Sequence, residues 1–290
     1  MRVLFNLATL AAGIRLAVPV ALAALGALMS ERTGVLNLGL EGMMLSGALA
    51  GYFADEATGS PLLGLVAGIV VGCACGALLA LLVVTVRANQ VVTGIAFTLL
   101  AASGTTYVFQ LKYSIGQKPP RVERLGMTPL VVLTLLCVAG LWFLFNRTTL
   151  GLAMDAIGES PDAADALGYR VVRLRWIATT AGGGLAGLGG AALTCGPLGL
   201  FIENVTAGRG WVALALVVFA GWKPGVAVAG ALLFGLCDAA QLRLQGTSTQ
   251  VPYEVFLALP YLVTLVALVL RARASRTPSA LARPFVRGAH

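Results

Sequence analysis

Polar and ionisable residues that interrupt long apolar runs carry the first chemical signal in this chain. Glu41 stands in such a run, with Asn37 four residues before it and so on the same face if the run is helical. A carboxylate among hydrocarbon must be paired, protonated or set beside water. Asp238, Gln241 and Gln245 fall at i, i+3 and i+7 of a later run and form one polar stripe on a helix. Ser103, Thr106 and Gln110 repeat that spacing in another run. Two such stripes fit an aqueous path for a polar solute, with Asn37, Glu41, Asp238, Gln241 and Gln245 along it. They equally fit structural contacts that fix a broken helix and span ends at the membrane interface. Nothing here points to catalysis. The one histidine, His290, is the last residue, and no Gly-x-x-x-x-Gly-Lys-Ser/Thr loop occurs. The chain is therefore expected to have no catalytic residue, no cofactor and no ATP site of its own.

The second signal is the polar interval from Gly151 to Gly168. It holds Asp155, Glu159, Asp162 and Asp165 without a lysine or arginine, and Arg170, Arg173 and Arg175 follow at once. Ser160-Pro161-Asp162 reads as a helix start, with a capping hydroxyl, proline at the first position and an acid facing the positive end of the dipole. Gly168 reads as the stop. Helices under about 12 residues are marginal in water, so this one needs a surface to lie on. That surface is either its own bundle or a soluble partner, with Gly158, Glu159, Ser160, Pro161, Asp162, Asp165, Leu167 and Gly168 as the docking residues.

These groups must be positioned by elements that cross a bilayer. The 290 residues are 58% hydrophobic and 11% charged, against about 25% charged in a soluble domain. No strand-like alternation appears, so the expected fold class is an all-α polytopic membrane protein. Apolar runs place about nine transmembrane helices, near 7–29, 35–54, 61–86, 91–111, 128–145, 176–196, 205–221, 225–244 and 253–271. The second is expected to be discontinuous near Asn37 to Gly42, where non-helical backbone is tolerated only inside protein or beside water. Residues 1–271 then form one transmembrane domain, with a candidate coupling segment over 146–175 and a basic tail over 272–290. The first run is too long for a secretory leader and is taken as a retained span.

The net charge of +8 is concentrated in the tail (Arg271, Arg273, Arg276, Arg283, Arg287). Beside a membrane this implies a cytoplasmic anchor in contact with lipid headgroups rather than a nucleic-acid surface. With the tail inside, short loops on that side also hold Arg32, Arg87, Arg147, Arg170, Arg173, Arg175 and Lys223, and the 146–175 segment is cytoplasmic. The loop over 112–127 runs mildly against this orientation. The five cysteines all lie in or at the ends of apolar runs and suggest neither a disulfide nor a metal site.

Gly64, Gly68, Gly72 and Gly76 recur along one helix ridge, and Gly183, Gly187 and Ala191 form another. Such ridges let backbones approach closely, within one chain or between subunits. A faint internal echo joins Leu36–Gly42 and Glu203–Gly210, each preceding a span rich in small residues, as in duplicated transporters.

Three stretches together resemble a known family. Ser30-Glu-Arg-Thr-Gly-Val-Leu-Asn-Leu-Gly-Leu-Glu-Gly-Met-Met44 is similar to the first signature of bacterial permeases of ATP-binding-cassette (ABC) importers in the ribose/branched-chain amino acid superfamily, nearest its simple-sugar and purine-nucleoside branch. Ala156-Ile-Gly-Glu-Ser-Pro-Asp-Ala-Ala-Asp-Ala-Leu-Gly168 resembles the family's coupling segment, with Ser160 where asparagine is usual. Phe201-Ile-Glu-Asn-Val-Thr-Ala-Gly-Arg-Gly-Trp-Val-Ala-Leu-Ala215 with Phe219-Ala-Gly-Trp-Lys-Pro224 resembles its third signature. The resemblance implies a multi-pass permease of the bacterial cytoplasmic membrane that imports a nucleoside or simple sugar. It implies three partners: a cytosolic ABC ATPase, a second permease subunit, and an extracytoplasmic solute-binding lipoprotein or periplasmic protein. The competing expectation is a secondary active transporter in which Glu41 or Asp238 couples ions. A membrane enzyme is disfavoured for want of a nucleophile–base pair.

Overall fold

A computed structural model describes residues 7–113, 119–245 and 277–286, with single positions at 262, 266 and 269. The run near 253–271 lies outside these residues except at the single positions. The described chain is all-helical, with ten α-helices. They are α1 (Leu7–Glu31), α2 (Leu40–Thr58), α3 (Pro61–Ala80), α4 (Gln90–Lys112), α5 (Met127–Arg147), α6 (Thr149–Glu159), α7 (Pro161–Ala166), α8 (Val171–Leu193), α9 (Arg209–Ala220) and α10 (Pro224–Gln245). The last turns of α3 and α8 widen into π geometry over Leu81–Thr85 and Thr194–Leu198.

Among the described residues, five helices are long and apolar enough to cross a membrane: α1, α3 with its π turn, α4, α5 and α10. The three other expected runs in the described region are helical but differ in kind. The 12 residues of α9 span only about 18 Å at 1.5 Å per residue, too short for the ~30 Å hydrocarbon core. Helices α2 and α8 carry ionisable groups (Glu41, Asp55 and Glu56; Arg173 and Arg175) and bury most of their surface inside the bundle. A helix packed in protein on most sides is not solvated by lipid, so it can hold such groups within an apolar run.

Helix α1 is the central post, with Val20, Leu22, Ala23, Ala24, Leu25, Ala27 and Leu28 fully buried against α8, α9 and α10. The most extensive helix pair is α3 with α8. Here the two glycine ridges meet within one chain: a Cβ on Gly72 would run into the Gly183 carbonyl and Gly187, and one on Gly68 into Ala191. Peripheral α3, α4 and α5 turn bulky apolar side chains outward, among them Val70, Leu99, Leu100, Leu111, Leu136 and Phe143, as a lipid-facing surface requires.

Two breaks interrupt the bundle. Between α1 and α2 the chain is non-helical over 35–37 and turns at 38–39, yet Thr33, Val35 and Asn37 are fully buried. The interruption therefore precedes the second span's helix instead of lying inside it at Asn37–Gly42. Asn37 is outside α2, and the expected shared helix face with Glu41 does not exist. The second break is the irregular stretch over 199–208 that enters the bundle before α9. The first is enclosed by protein, the condition under which such backbone survives at membrane depth; the second buries Phe201, Val205 and Thr206 and leaves Ile202, Glu203, Asn204 and Ala207 exposed.

The α3–α8 seam yields a direct expectation. Gly72→Leu should lower the thermal unfolding midpoint in detergent, since overpacking costs about 1–3 kcal/mol or more. Gly140→Ala on α5, where a Cβ meets nothing within 4 Å, should leave the midpoint in place. Equal midpoints for both variants would contradict the seam.

Candidate functional site

The centre of the molecule is a polar knot where the two breaks meet. Glu41 sits in the first turn of α2 and is 5% exposed. Its Oε1 accepts from the Thr206 hydroxyl (2.5 Å) and the Gly208 N–H (2.9 Å), and its Oε2 accepts from the Gly210 N–H (2.5 Å). The two amides belong to the start of α9, whose first N–H groups lack helical partners and carry the positive end of its dipole. Gly210 admits the carboxylate because a Cβ there would collide with Glu41 itself. Gly208 adopts φ 82°, a left-handed conformation suited to glycine, as it turns the chain into α9. The echoed segments of the sequence, 36–42 and 203–210, are thus the ones this knot joins.

Arg209, between those glycines, donates from Nη2 to Asp238 Oδ2 of α10 at 3.0 Å. Gln241 follows one turn along α10 and is 4% exposed. The structure thus brings Glu41, Asp238 and Gln241 around one α9 terminus. Both ionisable groups are engaged: Glu41 as a clasp across the breaks, Asp238 as an ion pair. Asn37 lies nearby in the chain with only a long Nδ2 contact to the Met43 sulfur (3.6 Å), and its buried Oδ1 has no hydrogen-bond partner. The Gln245 side chain lies outside the described residues. On α4, Gln110 bonds Glu203 of the second break (2.7 Å), while Ser103 is exposed.

A second polar group lies at the end of the bundle where α1 finishes. Two residues there were not anticipated as site residues. Glu31 is buried and accepts from Trp222 Nε1 (2.8 Å) at the α9–α10 turn, and Arg175 is buried at the foot of α8. Their signal was present, because Glu31 lies in the first quoted motif and Arg175 closes the arginine cluster. Arg32 pairs with Asp155 of α6 at 2.7 Å and stacks over Phe145. Burial pushes the Asp155 carboxyl above its ordinary range, and the neighbouring Arg32 charge pulls it back. A cavity of about 580 Å³ opens here, lined by Arg32, Asp155, Glu159, Trp222 and Lys223 among others.

The docking residues occupy this same end. They form two helices where one was expected: Gly158 and Glu159 close α6, and Ser160 caps α7, its hydroxyl accepting from Ala163 N–H at 3.4 Å. Proline and the cap at 160–161 break the register, and Thr148, a second cap accepting from Gly151 N–H, starts α6 ten residues earlier than the polar composition suggests. Gly168 ends the unit with φ 89°. Of α7 only Ala164 is buried. Asp162, Ala163, Ala166 and Leu167 face outward, Leu167 with 77% of its surface exposed. Of the tail, residues 277–286 fold back onto α6 and α7 and Phe285 is buried against them, while Arg271, Arg273, Arg276 and Arg287, on which the expected headgroup anchor rests, lie outside the described residues.

Glu41→Gln should loosen the knot without changing its volume. The amide NH2 would meet one of two N–H donors, and an unsatisfied buried group costs about 1–3 kcal/mol. A lower unfolding midpoint and faster proteolysis within 199–208 are expected; an unchanged midpoint would remove Glu41 from the knot.

Comparison with known proteins bears on this architecture. A solved transporter, provisionally described as metal-chelate type and captured in an inward-facing conformation, shares the fold over 93% of this chain and 87% of its own, with a TM-score of 0.56 at 18% identity. The guanosine ABC transporter permease NupQ of Bacillus subtilis is 31% identical, covering 94% of each chain. TsgC13 of Haloferax volcanii, provisionally named a glucose ABC transporter permease, is 39% identical, covering 98% of each. Residues 9–268 match the family described as the branched-chain amino acid transport system, permease component, and this multi-pass membrane chain belongs to that permease family.

Proposed function

We propose that this chain is one of two permease subunits of an ABC importer that brings a nucleoside or simple sugar across the cytoplasmic membrane. The observation that carries the proposal is the family match over nearly the whole chain, joined to relatives named for glucose and guanosine. A bacterial source does not follow, because Haloferax is an archaeal relative's origin. Two further permeases, NupP of Bacillus subtilis and TsgB13 of Haloferax volcanii, resemble this chain at 24% and 25% identity. Each comes from an organism that also supplied a more similar permease, which supports pairing with a distinct second subunit. A solute-binding lipoprotein or periplasmic protein delivers the solute from outside.

The finer topology belongs to the same proposal. About nine spans cross the membrane, counting the deeply packed α2 and α8, the half-length α9 continued by the second break, and the run near 253–271. The α6–α7 unit faces the cytoplasm and seats in a cleft of the ATPase, with Gly158, Glu159, Ser160, Pro161, Asp162, Asp165, Leu167 and Gly168 at or beside the contact. Exposed Leu167 on a six-residue helix supports this, because a bulky apolar side chain left outward at that end awaits a partner. Asn37, Asp238, Gln241 and Gln245 flank the solute path, and Glu41 stands at its edge, holding the wall shut behind it. Ion coupling by Glu41 or Asp238 loses its motive, since both carboxylates already have fixed partners.

Leu167→Asp tests the docking. A carboxylate placed in an apolar contact costs about a few kcal/mol, so the ATPase should no longer co-purify while the permease midpoint is unchanged. Retained ATPase and normal uptake would refute the docking helix. Proteoliposomes of the assembled complex test the energy source. Uptake of labelled nucleoside or glucose should require internal ATP and survive dissipation of the proton gradient; the opposite dependence would favour a secondary transporter.

A further inference from the structure

The residues 277–286 form a strap whose attachments all cross between remote elements. On one side it holds the docking unit. Ala280 N–H donates to the Gly158 carbonyl at 2.9 Å, the Ser279 hydroxyl donates to Glu159 at 2.8 Å, and Phe285 is buried among Ala153, Ile157, Ala164, Val171 and Leu174. On the other side it holds the turn between α1 and α2. Ala282 N–H donates to the Gly34 carbonyl at 3.2 Å, and Arg175 bridges strap and turn, donating from Nη1 to the Arg283 carbonyl and from Nε to the Thr33 carbonyl, each at 3.0 Å.

Two features show that these attachments hold the strap in a specific conformation. Ala282 adopts φ 63°, a left-handed conformation that is unfavourable for a non-glycine residue, and it does so at the residue whose N–H reaches Gly34. Arg175 is 2% exposed and spends its cation on two backbone carbonyls, with Nη2 left without a hydrogen-bond partner. The turn it grips leads through the first break directly into Glu41 and the start of α9.

We propose that the strap, with Arg175 as its positioning residue, ties the ATPase-docking unit to the α1–α2 turn, so that movement imposed on α6–α7 reaches the Glu41 knot. The proposal rests on the docking reading above, and it makes residues 277–286 part of the coupling machinery.

Two strap variants test it in the complete transporter: Phe285→Asp, which removes the apolar seat, and Ala282→Pro, which removes the N–H and forbids the φ. Phe285→Leu serves as the conservative control. The expected result is that the ATPase still co-purifies and hydrolyses ATP, while solute moved per ATP falls on the order of tenfold and recovers in Phe285→Leu. Unchanged transport per ATP in both variants would overturn the proposal. Loss of the ATPase from the complex would overturn it too, because the strap would then be a docking surface. Hydrogen exchange of the permease alone separates this from the docking reading. The α6–α7 amides should exchange faster in Phe285→Asp whether or not Leu167 is the docking contact, and unchanged exchange would overturn the strap by itself.

Discussion

The clasp of Glu41 on the start of α9 is the interaction on which the rest of this structure depends. Two stretches of non-helical backbone meet here, the first buried and the second buried at Val205 and Thr206 beside the start of α9, and their inward polar groups need partners within the protein. A neutral side chain could accept one or two hydrogen bonds there. A carboxylate accepts three, from Thr206, Gly208 and Gly210, and it sits where the amides of a helix terminus already concentrate positive potential. The clasp fixes α9 as a half-length helix, and thereby fixes Arg209 at its first position, where it can reach Asp238 on α10. Four elements are registered against each other through one acidic residue.

Close packing makes such a knot possible. The glycine ridges of α3 and α8 bring those backbones into contact and pull α2 against both, as at Gly47 beside Gly187 and Gly190 beside Met44. In a membrane the apolar side chains gain nothing by leaving lipid for protein, so close backbone approach and its dispersion energy hold helices together. Helices α2 and α8 are thereby largely removed from lipid and can bury Asp55 and Arg175, which lipid would penalise. The peripheral helices show the converse pattern, with large apolar residues outward and few ionisable ones.

The end of the bundle that carries α6 and α7 is assembled differently. It is held by caps, by the Arg32–Asp155 pair, by the Trp222–Glu31 bond and by the strap, with one small apolar cluster around Phe285.

The all-helical class, the existence of most long elements, the membrane setting and the family were determined by sequence alone, because an apolar run of about 20 residues has only one economical conformation in hydrocarbon. The caps at Ser160 and the stop at Gly168 were equally legible, since capping is a local hydrogen-bond problem. The tertiary structure alone decided which partners the polar residues take. Glu41 and Asp238 looked alike in the sequence, as acids in apolar runs, and their partners lie far along the chain, at Thr206–Gly210 and at Arg209. Periodicity does not encode such contacts. The apparent pairing of Asn37 with Glu41 failed for the same reason: a spacing of four residues means a shared face only if the helix is continuous, and that continuity depends on a clasp made by another part of the chain. The strap was invisible for a simpler reason. The arginines around it, Arg271, Arg273, Arg276 and Arg287, carry a charge pattern that suits lipid headgroups, whereas its placement comes from one phenylalanine and from backbone groups, which every sequence has.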